Sequence, residues 1–210
     1  MTPGDICGTL LRKFNFMKRS SGFTLIELLV VISIIGILAS LAIPAVLSGI
    51  GKAQMTGAVS NMKQIHLTCQ QMALDGTTTG DAGLGWPGTY TTYAAWVTNV
   101  APGYLSSNDF AKIMSVAGAI VTTTNLGTAN TNGIIVTKVT DSDEGGTVLL
   151  YTRNVTPTVS GPWTTNSTAG YALFGNRGFV VFRKGGDGAT YLLPRQLSST
   201  NLLGTYATNL

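Results

Sequence analysis

From Phe23 to Ile43 the chain runs through 21 residues, FTLIELLVVISIIGILASLAI, in which Glu27 is the sole charge. As a helix rising about 1.5 Å per residue, this stretch reaches roughly 30 Å, the thickness of a bilayer's hydrocarbon layer. Lys18 and Arg19 stand just before it, and the first basic residue after it is Lys52. That asymmetry holds the N-terminus in the cytoplasm and sends the remainder across the membrane. The chain must therefore fold in at least two parts, an apolar helix and whatever follows it. Glu27 is the awkward residue. An unpaired acidic group costs about 2.5–3.5 kcal/mol at the centre of a membrane helix, and less toward an end. Such a carboxylate needs a partner.

Two ordinary readings leave Glu27 idle. A secretory signal peptide has a basic start, an apolar middle and small residues at the cut, and Ser40-Leu41-Ala42 supplies a small-x-small pattern. The mature chain would then be a secreted protein starting near Ile43. A monomeric, membrane-anchored binding domain fits the length and flanks equally well. Charge does not point elsewhere: the net +4 owes much to Arg12, Lys13, Lys18 and Arg19, which face only Asp5 in the first 22 residues. The remaining nine basic and eight acidic side chains are close to balance. The positive charge orients the segment and argues against nucleic acid as a partner of the folded domain.

The stretch GFTLIELLVVISIIGILASLAIP, Gly22 to Pro44, closely resembles the N-terminus of type IV pilins and of type II secretion pseudopilins. The shared pattern is a short basic leader ending in Gly, an aromatic residue, and an apolar helix with one Glu near its start. Here these are Lys18-Arg19-Ser20-Ser21-Gly22, Phe23 and Glu27, with Pro44 where many members carry a proline. The resemblance implies cleavage between Gly22 and Phe23 by a prepilin peptidase/methyltransferase, N-methylation of Phe23, and retention of the whole apolar helix. It also implies a partner for Glu27, the positive N-terminus of a neighbouring subunit in a filament core. An ion pair is tolerable in that low-dielectric setting, whereas a lone charge is strongly penalised. Glu27 is then the assembly contact that sets subunit register. The further partners implied are other pilin or pseudopilin subunits, an inner-membrane assembly platform and the lipid bilayer. A single-pass protein of the bacterial inner membrane is implied, with its globular domain periplasmic or extracellular. A leader of 22 residues is longer than the common form, and Met17 opens MKRSSG, a typical six-residue leader; both starts stay open.

Beyond Pro44 the apolar residues Met55, Val59, Met62, Ile65, Cys69 and Met72 recur at spacings of three and four, one face of a helix. The spacing predicts one long helix from Thr24 to about Leu74, with Gly36 and Pro44 as candidate bends, and Gly49 and Gly51 as further weak points. Asp75-Gly76 and the Thr/Gly run that follows are expected to end it. A short helix is expected in Tyr90–Val97, and another begins at an N-cap in Ser107 or Asn108 and ends near Gly118. From Gly133 the β-branched and aromatic runs IIVTKVT, TVLLYTRN, YALF, FVVFRK and ATYLL alternate with the turn sequences DSDEGG, GNRG and GGDG. They predict an antiparallel sheet of four or five strands laid on the second half of the helix. The fold class is α+β and pilin-like. Its parts are a leader 1–22, a transmembrane and filament-core helix 23–44, a packing helix 45–75 and a globular region 76–210.

Chemistry-bearing motifs are sparse. No G-x-S-x-G, H-E-x-x-H or Walker loop occurs, which points away from an enzyme, and no cofactor or metal is implied. His66 is the only histidine, and with Cys69 it offers two ligands where a structural zinc site needs about four. A packed or surface histidine is the expectation. Cys7 leaves with the leader, so Cys69 remains alone and is expected to be a small buried apolar group. Asp141, Asp143, Glu144 and Asp187 sit in turns that oxygen-liganded calcium can use, although ordinary hairpin turns favour the same residues. Arg177, Arg183, Lys184 and Arg195 form at most a small basic patch for DNA, and a solvated sheet edge is the better default.

Overall fold

The computed structural model describes residues 22–128, 133–158, 163–166, 173–193 and 205–210. The leader up to Ser21, Arg195 and the first half of YALF lie outside the described residues. The chain divides after Ala45 into two compact units, Met1–Ala45 and Val46–Leu210.

Helix α1 spans Leu25–Thr79, 55 residues that enter both units. In the first unit every described residue is exposed, and among the described residues this helix is the one long and apolar enough to cross a membrane, with a mean hydropathy of 2.7 in its best window. Its internal hydroxyls are satisfied locally: Ser33 donates to the Val30 carbonyl and Ser40 to the Ile37 carbonyl, both at 2.7 Å. That is what hydrocarbon demands of a polar group with no water at hand. The α-helix continues through Gly36 and Pro44.

In the second unit the expected apolar face of α1 is the face that packs. Met62, Ile65, Cys69 and Met72 are fully buried, Met55 nearly so, and Val59 lies partly buried beside them. They meet a four-stranded antiparallel sheet made, in spatial order, of β1 (Ile134–Val136), β2 (Val148–Thr152), β5 (Gly178–Arg183) and β6 (Gly188–Leu192). Between β2 and β5 the chain makes a two-residue ribbon, β3 (Val155–Thr156) with β4 (Thr164–Thr165). Alternation in β5 splits the sheet's two faces: Val180 and Phe182 join the α1 core, while Phe179 and Val181 join a second cluster with Tyr151, Trp163 and Tyr191. Both faces are therefore buried, which explains why β2 and β5 read as continuous apolar runs. The α+β expectation holds, with four strands in the main sheet.

Several boundaries differ from the sequence reading. The YALF run is no strand where it is described: Leu173–Asn176 is a short 3-10 turn, with Phe174 at φ 55°. Leu173 and Phe174 are buried in the α1 core instead of pairing at a sheet edge. The second helix is α2, Tyr93–Val100, three residues later than expected because Thr92 is the N-cap, accepting from the Ala95 amide at 3.2 Å. Helix α3, Ser107–Met114, is capped by Ser106, whose hydroxyl accepts from the Asp109 amide at 3.1 Å and donates to its carboxylate at 2.6 Å. It stops well before Gly118 because the Ser115 hydroxyl accepts from the Val121 amide at 2.9 Å and draws the chain into a turn.

Helix α1 also outlasts its expected end. Thr77 and Thr78 donate to the Leu74 carbonyl, and Thr79 donates to the Asp75 carbonyl at 2.6 Å, so the threonine run bonds back onto the helix. Gly80, at φ 72°, closes it. Gly76 is no breaker. A Cβ there would stand 2.3 Å from the Leu84 carbonyl oxygen, so the glycine exists for close approach. Gly76→Ala is expected to destabilise the second unit by about 1–3 kcal/mol. Gly57→Ala, where a Cβ meets nothing within 4 Å, should be neutral or slightly stabilising. Thermal unfolding of the two detergent-solubilised variants, followed by near-ultraviolet circular dichroism, checks the contrast; equal midpoints would refute it.

Candidate functional site

The candidate site lies at the start of α1. Gly22 and Phe23 are exposed residues preceding the helix, and Phe23 keeps 75% of its surface open. Thr24 occupies the N-cap position. Its hydroxyl accepts from the Glu27 amide at 3.3 Å, while the Glu27 carboxylate accepts from the Thr24 amide at 2.8 Å and the Thr24 hydroxyl at 2.6 Å. This is a reciprocal capping box, which satisfies orphan donors at a helix start. Both Thr24 donors converge on Oε2, and Oε1 takes no bond among the described residues. Glu27 is thus half-partnered within its own chain.

The geometry brings together Gly22, Phe23 and Glu27, three of the residues singled out from sequence, within one helical turn and its entry. Gly36 and Pro44 lie further along the same helix. Thr24 is the Glu27 partner that sequence reasoning missed. The T-x-x-E spacing at Thr24–Glu27 was the available signal. Around Glu27 the apolar side chains Leu25, Ile26, Leu28 and Leu29 all stand at least half exposed.

Elsewhere the polar candidates are engaged in structure. His66 packs between Trp86 and Phe182, and its Nε2 donates to the Lys184 carbonyl at 2.7 Å. The Lys184 ammonium donates to the carbonyl oxygens of Asp141 and Asp143, at 2.5 and 2.7 Å, and stands 5.3 Å from the centre of the Trp86 ring. Asp143 Oδ2 accepts from the amide and hydroxyl of Thr140, and these bonds hold its carboxyl below the usual range. The acidic turn is therefore cross-braced by a lysine of the chain itself. Arg183, from the proposed basic patch, donates to the Asp187 carboxylate and to the Tyr191 hydroxyl. Among the described residues no three His, Cys, Asp or Glu side chains are placed to hold a metal ion.

Cys69 is fully buried, and burial pushes its thiol up to about 12. The reactive thiolate is suppressed by both access and protonation. A maleimide should leave Cys69 of the folded chain unmodified at neutral pH and label it once denaturant is added; rapid labelling of the native protein would contradict this. Cys69→Ser, which buries a hydroxyl where a thiol packs, should cost about 1–3 kcal/mol.

Comparison with known proteins addresses the same segment. The prokaryotic N-terminal methylation motif matches residues 17–43. In this segment the chain is similar to type IV pilins. A type IV major fimbrial protein FimA of Dichelobacter nodosus is 42% identical over 67 residues, 32% of this chain and 43% of that protein. A fimbrial protein of Pseudomonas aeruginosa is 43% identical over 60 residues, 29% of this chain and 39% of its own length. The type IV major pilin protein PilA of Myxococcus xanthus is 41% identical over 56 residues, 27% of this chain and 26% of that protein. The chain thus spans less than half the length of these pilin relatives. No solved structure matches it.

Proposed function

We propose that this chain is a type IV pilin, a structural, non-enzymatic subunit of a type IV pilus. It is made as a prepilin, cut between Gly22 and Phe23, N-methylated at Phe23 and polymerised through the apolar part of α1. The observation that carries the reading is Glu27: Thr24 holds one carboxylate oxygen and leaves the other open, on a helix whose apolar side chains stand exposed. An amine freed at Phe23 of a neighbouring subunit is a cation that fits that oxygen. The pair is favourable only where water is excluded and other subunits surround it. The peptidase/methyltransferase, sibling subunits, assembly platform and bilayer follow as partners of that life history. The pseudopilus uses the same N-terminal physics, and the curated relatives, named as fimbrial and pilin proteins, favour the pilus.

Pro44, with Gly36, is proposed as a place where the helix can bend. Pro44 donates no amide to the helix, so the backbone can bend there at little cost. Intact-mass analysis of the protein from its native host tests the reading. A mature chain starting at methylated Phe23 supports it; a start near Ile43 means a secreted protein, and an uncut chain means a monomeric anchor.

A further inference from the structure

Strand β1 stands first in the order of the main sheet and pairs with β2 on one side only. Its other side would present bare backbone groups, the template on which a strand of another chain can pair. The segment 205–210 takes those groups up. Leu210 donates its amide to the Val136 carbonyl at 3.1 Å, and Lys138 donates to the Thr208 carbonyl at 2.7 Å, with Asn209 opposite Thr137 in an antiparallel pair. Past the reach of β1, Val148 of β2 donates to the Thr205 carbonyl at 2.8 Å.

The side chains of the segment straddle the sheet. Ala207 and Leu210 pack against the α1 core, while Tyr206 joins the second cluster, edge-on to Tyr151 and Trp163 at ring separations of 6.2 and 6.1 Å. Asn209 ties the segment to β2. Its side-chain oxygen accepts from the Tyr151 hydroxyl at 3.0 Å and from the Tyr206 hydroxyl at 2.6 Å.

Burial is uneven across this contact. Thr205, Thr208 and Asn209 are exposed, and Tyr206, Ala207 and Leu210 are only half-buried. Beneath them Val136, Val148 and Tyr151 are 2%, 0% and 3% exposed. An element opens at a cost set by the buried apolar surface and hydrogen bonds that it supplies itself. Lifting 205–210 breaks those three backbone bonds and draws out no fully buried side chain. Parting β1 from β2 would break a longer ladder and expose Ile134, Val136 and Leu150. The segment is the cheaper of the two to open, and what it uncovers is an apolar strand edge.

We propose that 205–210 is a strap that opens and closes independently of the sheet. Asn209 latches it, and in the closed state it guards the β1 edge against pairing with another copy of this chain. The inference concerns the globular unit alone and is independent of the filament reading.

Native-state amide exchange on the detergent-solubilised full chain tests the opening. The Lys138 and Val148 amides bond to the strap, whereas the neighbouring Thr137 amide bonds to the Leu149 carbonyl of β2 at 3.0 Å. Relative to free-peptide rates, Lys138 and Val148 should exchange at least tenfold faster than Thr137. Asn209→Ala, at an exposed position, should speed those two at least fivefold more and leave Thr137 unchanged. Tyr206→Phe, which removes one of the two hydroxyls on Asn209, should act in the same direction and by less. The guard is read separately. At equal concentration Asn209→Ala should lose protein to a sedimentable aggregate at least fivefold faster than the unaltered chain. A single rate for all three amides of the unaltered chain would make the segment an integral fifth strand and overturn the strap. Faster opening in both variants without faster aggregation would overturn the guard.

Discussion

Glu27→Ala is expected to insert, to be cut and to accumulate as processed subunit, yet to yield at least tenfold fewer filaments than the unaltered chain. Insertion survives because removal of a charge makes the segment more apolar. Cutting survives because the Gly22–Phe23 bond and the basic leader are untouched. Assembly fails because each incoming amine is buried without its counter-charge, a loss of about 3–5 kcal/mol for a broken buried pair, or more than a hundredfold in a single association constant.

The capping box makes a sharper variant available. Glu27 also accepts two bonds from Thr24, so alanine removes a helix cap together with a charge. Glu27→Gln keeps an oxygen that can accept from Thr24 and loses only the charge. If the carboxylate acts as a counter-ion, the Gln variant should fail to assemble much as the Ala variant does. If its task is to start the helix, Gln should assemble normally, and Thr24→Val should be as damaging as the Ala variant. Sheared-filament yield, normalised to processed subunit, separates the two outcomes.

What could be read from the sequence followed a physical pattern. The apolar run at Phe23–Ile43 was legible because a membrane imposes length and polarity together, and few soluble segments satisfy both. The packing face from Met55 to Met72 was legible because burial on a helix has a fixed period. The strands β2 and β5 were found as apolar runs, but nothing local indicated that a second aromatic cluster would bury their other face. Turn-rich and threonine-rich stretches misled in both directions. Gly76 resembled a helix stop and is a contact point for the Leu84 carbonyl; Leu173 and Phe174 resembled a strand and form a buried turn. In each case the deciding partner lies elsewhere in the fold, where a local pattern carries no information. The Thr24–Glu27 box is the opposite case. Its signal is wholly local: a threonine three residues before a glutamate at the start of an apolar run.

Gly22→Val is the second large effect, and it concerns processing alone. Gly22 precedes the helix in an exposed stretch, and a side chain added there would meet nothing within 4 Å. The substitution therefore takes nothing from the folded chain. Packing, the capping box and the apolar run all stay as they are, and the variant should reach the membrane at ordinary levels. Any consequence must come from an encounter with another molecule, and the one proposed at this bond is the peptidase. A protease that accepts glycine before the scissile bond holds the backbone closely, and a β-branched side chain both fills that space and restricts the backbone conformations open to the residue. The expected outcome is full-length precursor in the membrane, with mature subunit reduced at least tenfold and filaments absent. Gly22→Ala, a single methyl, should slow the cut without abolishing it. Pulse-chase labelling with gel separation of precursor and mature forms reads both variants directly. Normal maturation of the Val variant would mean that the bond after Gly22 is not the one cut, and Phe23 would then lose its role as the source of the amine that Glu27 awaits.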